Sequence, residues 1–264
     1  MKRFALVVGL INCLFLFGCR TSQPEFPSGQ IIDLTHSFED ATIYWPTSKE
    51  FQLEPVFQGV TEQGFYYTAN NFSSAEHGGT HIDAPVHFYQ DGKSVDAIPI
   101  EQLIGKGVVI DVTDKCNENT DYQVQVEDFT AWEARHGTQL NDVIVLLRTG
   151  FGKYWPDRVK YMGTDERGEQ AVAKLHFPGL HPDAAKWLAE NRSIKAIGLD
   201  TPSIDYGQST LFESHQTLFE KNILVFENVA NLGQLPEKNF TVIALPMKIK
   251  GGSGGPLRIV AIVE

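Results

Sequence analysis

Three of the chain's eight histidines, together with an aspartate, fall in one stretch: His77-Gly78-Gly79-Thr80-His81-Ile82-Asp83-Ala84-Pro85-Val86-His87-Phe88. Imidazole nitrogens and a carboxylate form a donor set that suits Zn²⁺, Mn²⁺ or a similar divalent ion. The spacing says how these groups could meet. His81 and Asp83 are two apart, so on a strand both project from one face. His77 stands four before His81, a helical spacing, but Gly78-Gly79 and the β-branched Thr80 make a helix there unfavourable. A tight glycine turn leading into a strand instead folds His77 back over the other two, since glycine permits close backbone approach. His77, His81 and Asp83 then supply three ligands, which leaves positions open for water and substrate. A lone histidine in a loop is usually ordinary surface or core; donors at this density are not.

The patterning around the stretch defines the elements that must hold it. Gln30 to Thr35, Phe51 to Phe57 and Gly64 to Phe72 read as strands, the last two rich in aromatics. Lys106 to Val112 and Asp142 to Thr149 are continuous apolar runs of the kind buried in a sheet. Gln125 to His136 repeats apolar residues at three and four and stops at Gly137, so it reads as a helix. Pro182 to Asn191 is a second helix with proline in its first turn. His215 to Lys221 is a third, shorter one. Ile194 to Leu199 and Ile223 to Glu227 are further strands, and Asn239 to Leu245, Met247 to Lys250 and Leu257 to Val263 close the sheet. Lys153 to Gln170 is polar and reads as loop. Gly251-Gly252-Ser253-Gly254-Gly255-Pro256 lacks the Lys-Ser/Thr and the helix of a phosphate loop, and reads as a turn between strands. Buried strands separated by a few helices point to an α/β protein.

The chain has 264 residues, 42% of them hydrophobic, and a net charge of −11. That is enough for one sizeable core, and a single domain is expected. No basic run stands out, which argues against nucleic acid as a partner. The first residues read as targeting rather than fold. Lys2-Arg3 precede an apolar run from Ala5 to Phe17, too short to span a membrane comfortably. Leu16-Phe17-Gly18-Cys19 looks like a bacterial lipobox. It implies a signal peptide over residues 1–18, lipidation of Cys19, and a tether over 19–29 ahead of a domain at 30–264. The expected location is outside the cytoplasm, lipid-anchored to a bacterial membrane. With Cys13 in the signal and Cys19 lipidated, only Cys116 remains, so no internal disulfide forms. Cys116 lies in a polar segment and reads as an incidental loop thiol.

The histidine stretch resembles the H-x-G-T-H-x-D-x-P-x-H-F signature of the cyclase family, which includes bacterial kynurenine formamidases and isatin hydrolases, metal-dependent amide hydrolases. The likeness extends over nearly the whole mature chain. Tyr44-Trp45-Pro46, Leu147-Arg148-Thr149-Gly150, Phe177-Pro178-Gly179-Leu180, the run from Gly198 to Asp205 and the end from Leu245 to Arg258 also resemble the family. The fold implied is a single swivelling β/β/α-type domain, a twisted barrel-like sheet flanked by helices. Residue by residue, the resemblance implies that His77, His81 and Asp83 hold one metal and that Asp83 bridges to a second. His215 and Glu227 are the remaining ligands, His87 carries protons, and Trp45 lines the substrate pocket. It further implies a homodimer or homotetramer.

The residues themselves bear on these roles. Glu227 ends the apolar run Ile223 to Phe226, where a carboxylate is costly to bury unless paired or metal-bound, although it could also be exposed at the strand end. His215 could be a ligand or a surface residue near a helix start. Trp45, beside Pro46, could pack in a turn or face substrate, and Tyr66 and Phe88 could add ring-stacking surface. Asp200 and Asp205 could orient ligand histidines or simply make turns, and together with Ser203 stay unassigned. His36, His136, His176 and His181 have no partner logic. His87 lies past Pro85 and is not needed as a ligand, and a histidine beside an activated water can take its proton and return it to a leaving nitrogen. The implied activity is hydrolysis of an amide in an aryl formamide or cyclic amide such as N-formylkynurenine or isatin. One or two divalent ions serve it, with Zn²⁺ ahead of Mn²⁺. A cyclase, dehydratase or lactone hydrolase on the same scaffold, and a metal-dependent ligand-binding lipoprotein, are the alternatives.

Overall fold

The computed structural model describes residues 28–264; the expected signal peptide, Cys19 as the expected lipidation site and the expected tether up to residue 27 lie outside the described residues. No described helix is long and apolar enough to cross a membrane. Among the described residues there are twelve strands: β1 (Gln30–Asp33), β2 (Gln52–Val60), β3 (Tyr66–Ser73), β4 (His81–Asp83), β5 (Ile104–Asp111), β6 (Gln123–Val124), β7 (Val143–Arg148), β8 (Gly179–Leu180), β9 (Ala196–Leu199), β10 (Leu224–Glu227), β11 (Phe240–Pro246) and β12 (Gly254–Val263). Six α-helices accompany them: α1 (Thr113–Glu118), α2 (Val126–His136), α3 (Arg158–Met162), α4 (Glu169–Val172), α5 (Pro182–Asn191) and α6 (Glu213–Glu220).

The main sheet runs β12-β11-β5-β7-β9-β10-β4, and β4 pairs back onto β12, closing a seven-stranded barrel with β1 added along β12. Closure removes the free edges that an open sheet must protect. β5, β7, β9 and β10 are mutually parallel, and their uninterrupted apolar sequence follows from burial on both faces. Residues of one parity, including Ile82, Val109, Leu146, Leu224 and Phe226, pack together inside the barrel. Residues of the other parity, including Val108, Val145, Ile197 and Val225, face outward onto the helices. Helix α2 starts with reciprocal Gln125 and Asp128 caps and ends at Gly137 with φ 63°, a left-handed stop that glycine takes without strain. Helix α5 carries Pro182 in its first turn, where the missing N–H costs nothing.

Three expectations change. Lys153 to Gln170 is not all loop: it contains α3 and the start of α4, and α3 is capped by the Asp157 carboxylate. The α3 residues Tyr161 and Met162 are buried, so tertiary packing overrides the polar local composition. Met247 to Lys250 is not a strand; Pro246, with no N–H to continue the ladder, ends β11, and the chain turns through Gly251 at φ 73°. Cys116 is not a loop thiol but a buried residue of α1. Burial pushes its pKa up to about 12, with nearby carboxylates adding to the shift, so it stays an unreactive thiol.

β2 and β3 form a separate antiparallel hairpin outside the barrel. Val56, Val60, Phe65, Tyr66, Tyr67 and Phe72 are exposed along it. Its ends connect directly to the site: β2 begins seven residues after Trp45, and β3 ends four before His77.

Candidate metal centre

Barrel closure places the donors. β4 lies between β10 and β12, and its register sets His81 directly opposite Glu227 and Asp83 opposite Val225. Directly opposed residues of an antiparallel pair point to the same side. Ile82 and Phe226 therefore fill the barrel, while His81, Asp83 and Glu227 project from its outer wall. Helix α6 crosses that wall and brings down His215, its third residue. Ahead of β4, Gly78 lies against the Tyr44 ring and Gly79 turns with φ 57°, and this bend folds His77 back over Asp83. A β-carbon on Gly78 would stand 2.0 Å from Tyr44 Cδ1, so only glycine fits there.

Asp83 is the centre of the constellation. Its Oδ1 is 2.6 Å from His77 Nδ1 and 3.1 Å from His81 Nε2; its Oδ2 is 3.1 Å from His215 Nε2. Glu227 reaches His81 Nε2 at 3.4 Å and His215 Nε2 at 3.2 Å. Supporting bonds fix the rings. His81 Nδ1–H donates to the Gly79 carbonyl at 2.9 Å, and His215 Nδ1–H donates to Asp205 at 2.5 Å. Both leave Nε2 facing the carboxylates, with the orientation set from behind as ligand histidines require. Asp205 is itself held by the backbone N–H groups of Ser214 and His215. Glu227 Oε1 accepts from Ile204 N at 2.7 Å.

Two acids and two histidines here are at most 4% exposed. Burial alone would strip their charge, but pairing overrides it. Burial opposes a charge on His81, yet Asp83 and Glu227 raise its pKa to about 10. Burial likewise opposes ionised Asp83, yet the neighbouring His77 and His81, with a hydrogen bond from His215, hold its carboxyl well below the usual range. His215 is raised well above the ordinary value, burial opposed by bonds to Asp205, Asp83 and Glu227. The protonated rings thus supply the positive charge that the buried carboxylates demand. A divalent ion fits the same position: His81 Nε2 is buried with no hydrogen-bond partner among the described residues, though carboxylate oxygens lie on either side. Ligand atoms of His81, Asp83 and Glu227 lie within 4.8 Å of one another, and so do those of His77, Asp83 and His87. Imidazole and carboxylate are the donors that zinc and manganese take.

The centre floors a cleft of about 230 Å³. Trp45, Phe88 and Phe212 wall it; Phe88 and Phe212 have ring centroids 5.3 Å apart, and Trp45 meets Phe212 edge-on at 6.3 Å. His87 lines the cleft with its ring stacked on His77 at 3.8 Å. Burial lowers its pKa to about 4, so it is neutral at pH 7.

Similarity to known proteins agrees with this architecture. The family model described as "Putative cyclase" matches residues 32–206. The chain belongs to the cyclase family. It is 32% identical over 239 residues to an isatin hydrolase of Roseibium aggregatum, covering 83% of this chain and 88% of that protein. It is 28% identical over 230 residues to a kynurenine formamidase of Salinibacter ruber, covering 87% and 96%. The structure of isatin hydrolase A from Labrenzia aggregata, bound to benzyl benzoate, superposes with a TM-score of 0.79 at 34% identity, covering 89% of this chain and 93% of that one.

In this cyclase-family chain, every residue singled out from the sequence as a ligand or proton carrier reaches the cleft: His77, His81, Asp83, His87, His215 and Glu227. Trp45 and Phe88 reach it too, while Tyr66 sits out on the exposed hairpin. Asp205 and Asp200, ambiguous in sequence, separate. Asp205 orients His215. Asp200 instead accepts from Thr149 and from the N–H groups of Gly150 and Gly152, fixing the loop after β7. Ser203 lines the cleft. Sequence reasoning missed Phe212, Asn228, Glu76 and Ser253. Asn228 adopts φ 53°, accepts from Tyr161 Oη and donates to the Gly79 carbonyl, steadying the bend before His81. An asparagine directly after the acid of an apolar strand was the available signal, since asparagine tolerates the left-handed region.

Proposed function

We propose that this protein is a hydrolase that uses a divalent metal, with Zn²⁺ ahead of Mn²⁺, to open an amide in an aryl formamide or a cyclic aryl amide. The observation that carries this reading is the convergence of His81, His215, Asp83 and Glu227 at the base of an aromatic-walled cleft. A metal bound there lowers the pKa of water and polarises a carbonyl. His77, His81, Asp83, His215 and Glu227 would hold the metal, and Asp83 and Glu227 each lie against both His81 and His215. The cleft lies below the roughly 300–1,000 Å³ of drug-sized pockets, which favours a single or fused ring. Trp45, Phe88 and Phe212 orient that ring. His87, neutral and beside the ligands, takes the proton of the attacking water and passes it to the departing nitrogen as the C–N bond breaks. The names of the cyclase-family relatives support isatin-like and N-formylkynurenine-like substrates.

The test is incubation of metal-loaded protein with isatin and with N-formylkynurenine, followed by absorbance, with elemental analysis of the same sample. Turnover of neither compound sinks the substrate assignment. His87→Ala should keep its metal and lose most turnover; equal loss of metal would make His87 a ligand, a role its place in the His77, Asp83 and His87 group also permits.

We further propose an exported, lipid-anchored protein, on the strength of Lys2-Arg3, the apolar run and Gly18-Cys19. Cys19→Ala should move it from the membrane to the soluble fraction of its host. Self-association as a dimer or tetramer is supported by the exposed apolar residues of the β2–β3 hairpin, since a free two-stranded hairpin is marginal in water. A monomer in analytical ultracentrifugation would reject it.

A further inference from the structure

The glycine-rich turn between β11 and β12 touches the metal centre. Ser253 Oγ lies 2.8 Å from His77 Nε2 and 2.7 Å from Glu76 Oε2, and Ser253 N–H donates to the same Glu76 oxygen at 3.0 Å. The Ser253 carbonyl accepts from Ala84 N–H at 2.8 Å, tying the turn to the end of β4. The flanking glycines make this approach possible. A β-carbon on Gly254 would stand 2.4 Å from the Ile82 carbonyl and 2.6 Å from His77 Cε1, and one on Gly252 would stand 2.8 Å from Glu76 Oε1.

Hydrogen-bond direction then follows from chemistry. An ionised carboxylate only accepts, so the Ser253 hydroxyl donates to Glu76. Its oxygen is left to accept, and the group facing it is His77 Nε2, which therefore carries the proton. By the same rule His77 Nδ1 donates to the Asp83 carboxylate at 2.6 Å, and this Nδ1 proton, rather than the Nε2 proton held by Ser253, is the one a metal would displace. We infer that Glu76 and Ser253 are positioning residues that fix the His77 ring and tautomer, so that His77 binds metal through Nδ1. His81 and His215 are the reverse: their Nδ1–H groups are tied to Gly79 and Asp205, and each offers Nε2. One centre would thus be assembled from two kinds of histidine, the exceptional one set by the turn. The inference rests on the reading of His77 as a ligand.

The experiment uses the full chain and needs no substrate. Metal-stripped protein is titrated with Zn²⁺ against a competing chelator, for the wild type and for His77→Ala, Ser253→Ala and Glu76→Gln. Long-range ¹H–¹⁵N spectra of the Zn²⁺-loaded wild type, labelled at histidine, report which nitrogen of His77 is protonated. We expect a protonated Nε2 on His77, and roughly 10- to 100-fold weaker Zn²⁺ binding in Ser253→Ala, the range for lost ligand support. Glu76→Gln, whose amide oxygen can still accept from Ser253, should weaken binding less and keep the same protonated nitrogen. A His77 protonated on Nδ1 overturns the inference without any variant, and so does wild-type affinity in Ser253→Ala when His77→Ala has lost it. Wild-type affinity in His77→Ala itself overturns the ligand reading as well.

Discussion

Asp205→Asn isolates how the fold would turn a helix residue, His215, into the proposed metal donor. The Asp205 carboxylate divides its work: Oδ1 accepts from Ser214 N–H at 3.0 Å, and Oδ2 accepts from His215 Nδ1 at 2.5 Å and His215 N–H at 3.3 Å. Asparagine offers one acceptor oxygen and one NH₂. With its oxygen toward Ser214, the NH₂ faces His215 Nδ1, which must become an acceptor. The ring proton then moves to Nε2, the atom 3.1 Å from Asp83 and 3.2 Å from Glu227, and the lone pair needed for metal is gone. With the oxygen turned the other way, His215 keeps its tautomer but the Ser214 N–H at the start of α6 faces a donor. Either outcome costs. Losing support behind a ligand histidine weakens metal binding roughly 10- to 100-fold, which is about 1.4–2.8 kcal/mol at about 1.4 kcal/mol per decade. The α6 start loses a charged acceptor worth about 1.5–3 kcal/mol. Zn²⁺ competition titration measures the first and urea unfolding of the metal-stripped protein the second. Unchanged Zn²⁺ affinity, with the protein folded, would refute the claim that Asp205 holds His215 as a ligand.

Two further outcomes are expected. Ile82→Ala removes a fully buried side chain from the barrel interior between the two donors of β4; it should cost about 2–5 kcal/mol, read from the urea midpoint of the metal-stripped protein, and a loss under 1 kcal/mol would mean that the wall is not packed as described (roughly the cost of an Ile→Val change). His36 stacks on Trp155 with its Nε2 buried and unpartnered among the described residues, and burial lowers its pKa to about 4. The unfolded chain, with histidine near 6.5, therefore binds the extra proton first, so stability should fall as pH drops from about 6.5 toward 4. His36→Phe keeps a ring for Trp155 and should lessen the fall of the urea midpoint across that window, leaving the part that His87, also lowered to about 4, contributes, whereas an unaltered pH dependence would show that His36 does not titrate this way.

Much of the site was legible because its chemistry is dense in sequence. His77, His81 and Asp83 carry their geometry in their spacing: period two on a strand, and a glycine bend that only glycine can make against Tyr44. The helices α2 and α5 were legible for a similar reason, since caps, proline and glycine act within one or two turns. The short helices α3 and α4 were not, because neither has propensity enough to announce itself and both exist through tertiary packing. Cys116 misled for the same reason: a polar neighbourhood in sequence became a buried position once α1 packed onto the barrel.

Ser253 and Asp205 mark the boundary most clearly. Ser253 is 176 positions from His77, and nothing local distinguishes its glycine-flanked segment from an ordinary turn. Asp205 and Asp200 are five apart in one polar run, yet one orients His215 and the other anchors a loop. The sequence by itself determined which donors exist, which share a strand face, and that a carboxylate would stand at the end of an apolar strand. Tertiary structure alone decided that β4 closes the barrel between β10 and β12. Strand register is a long-range property: sliding β10 by one residue along β4 would turn Glu227 into the barrel and leave His81 without it. That register, together with the descent of α6, makes one centre from residues that the chain keeps far apart.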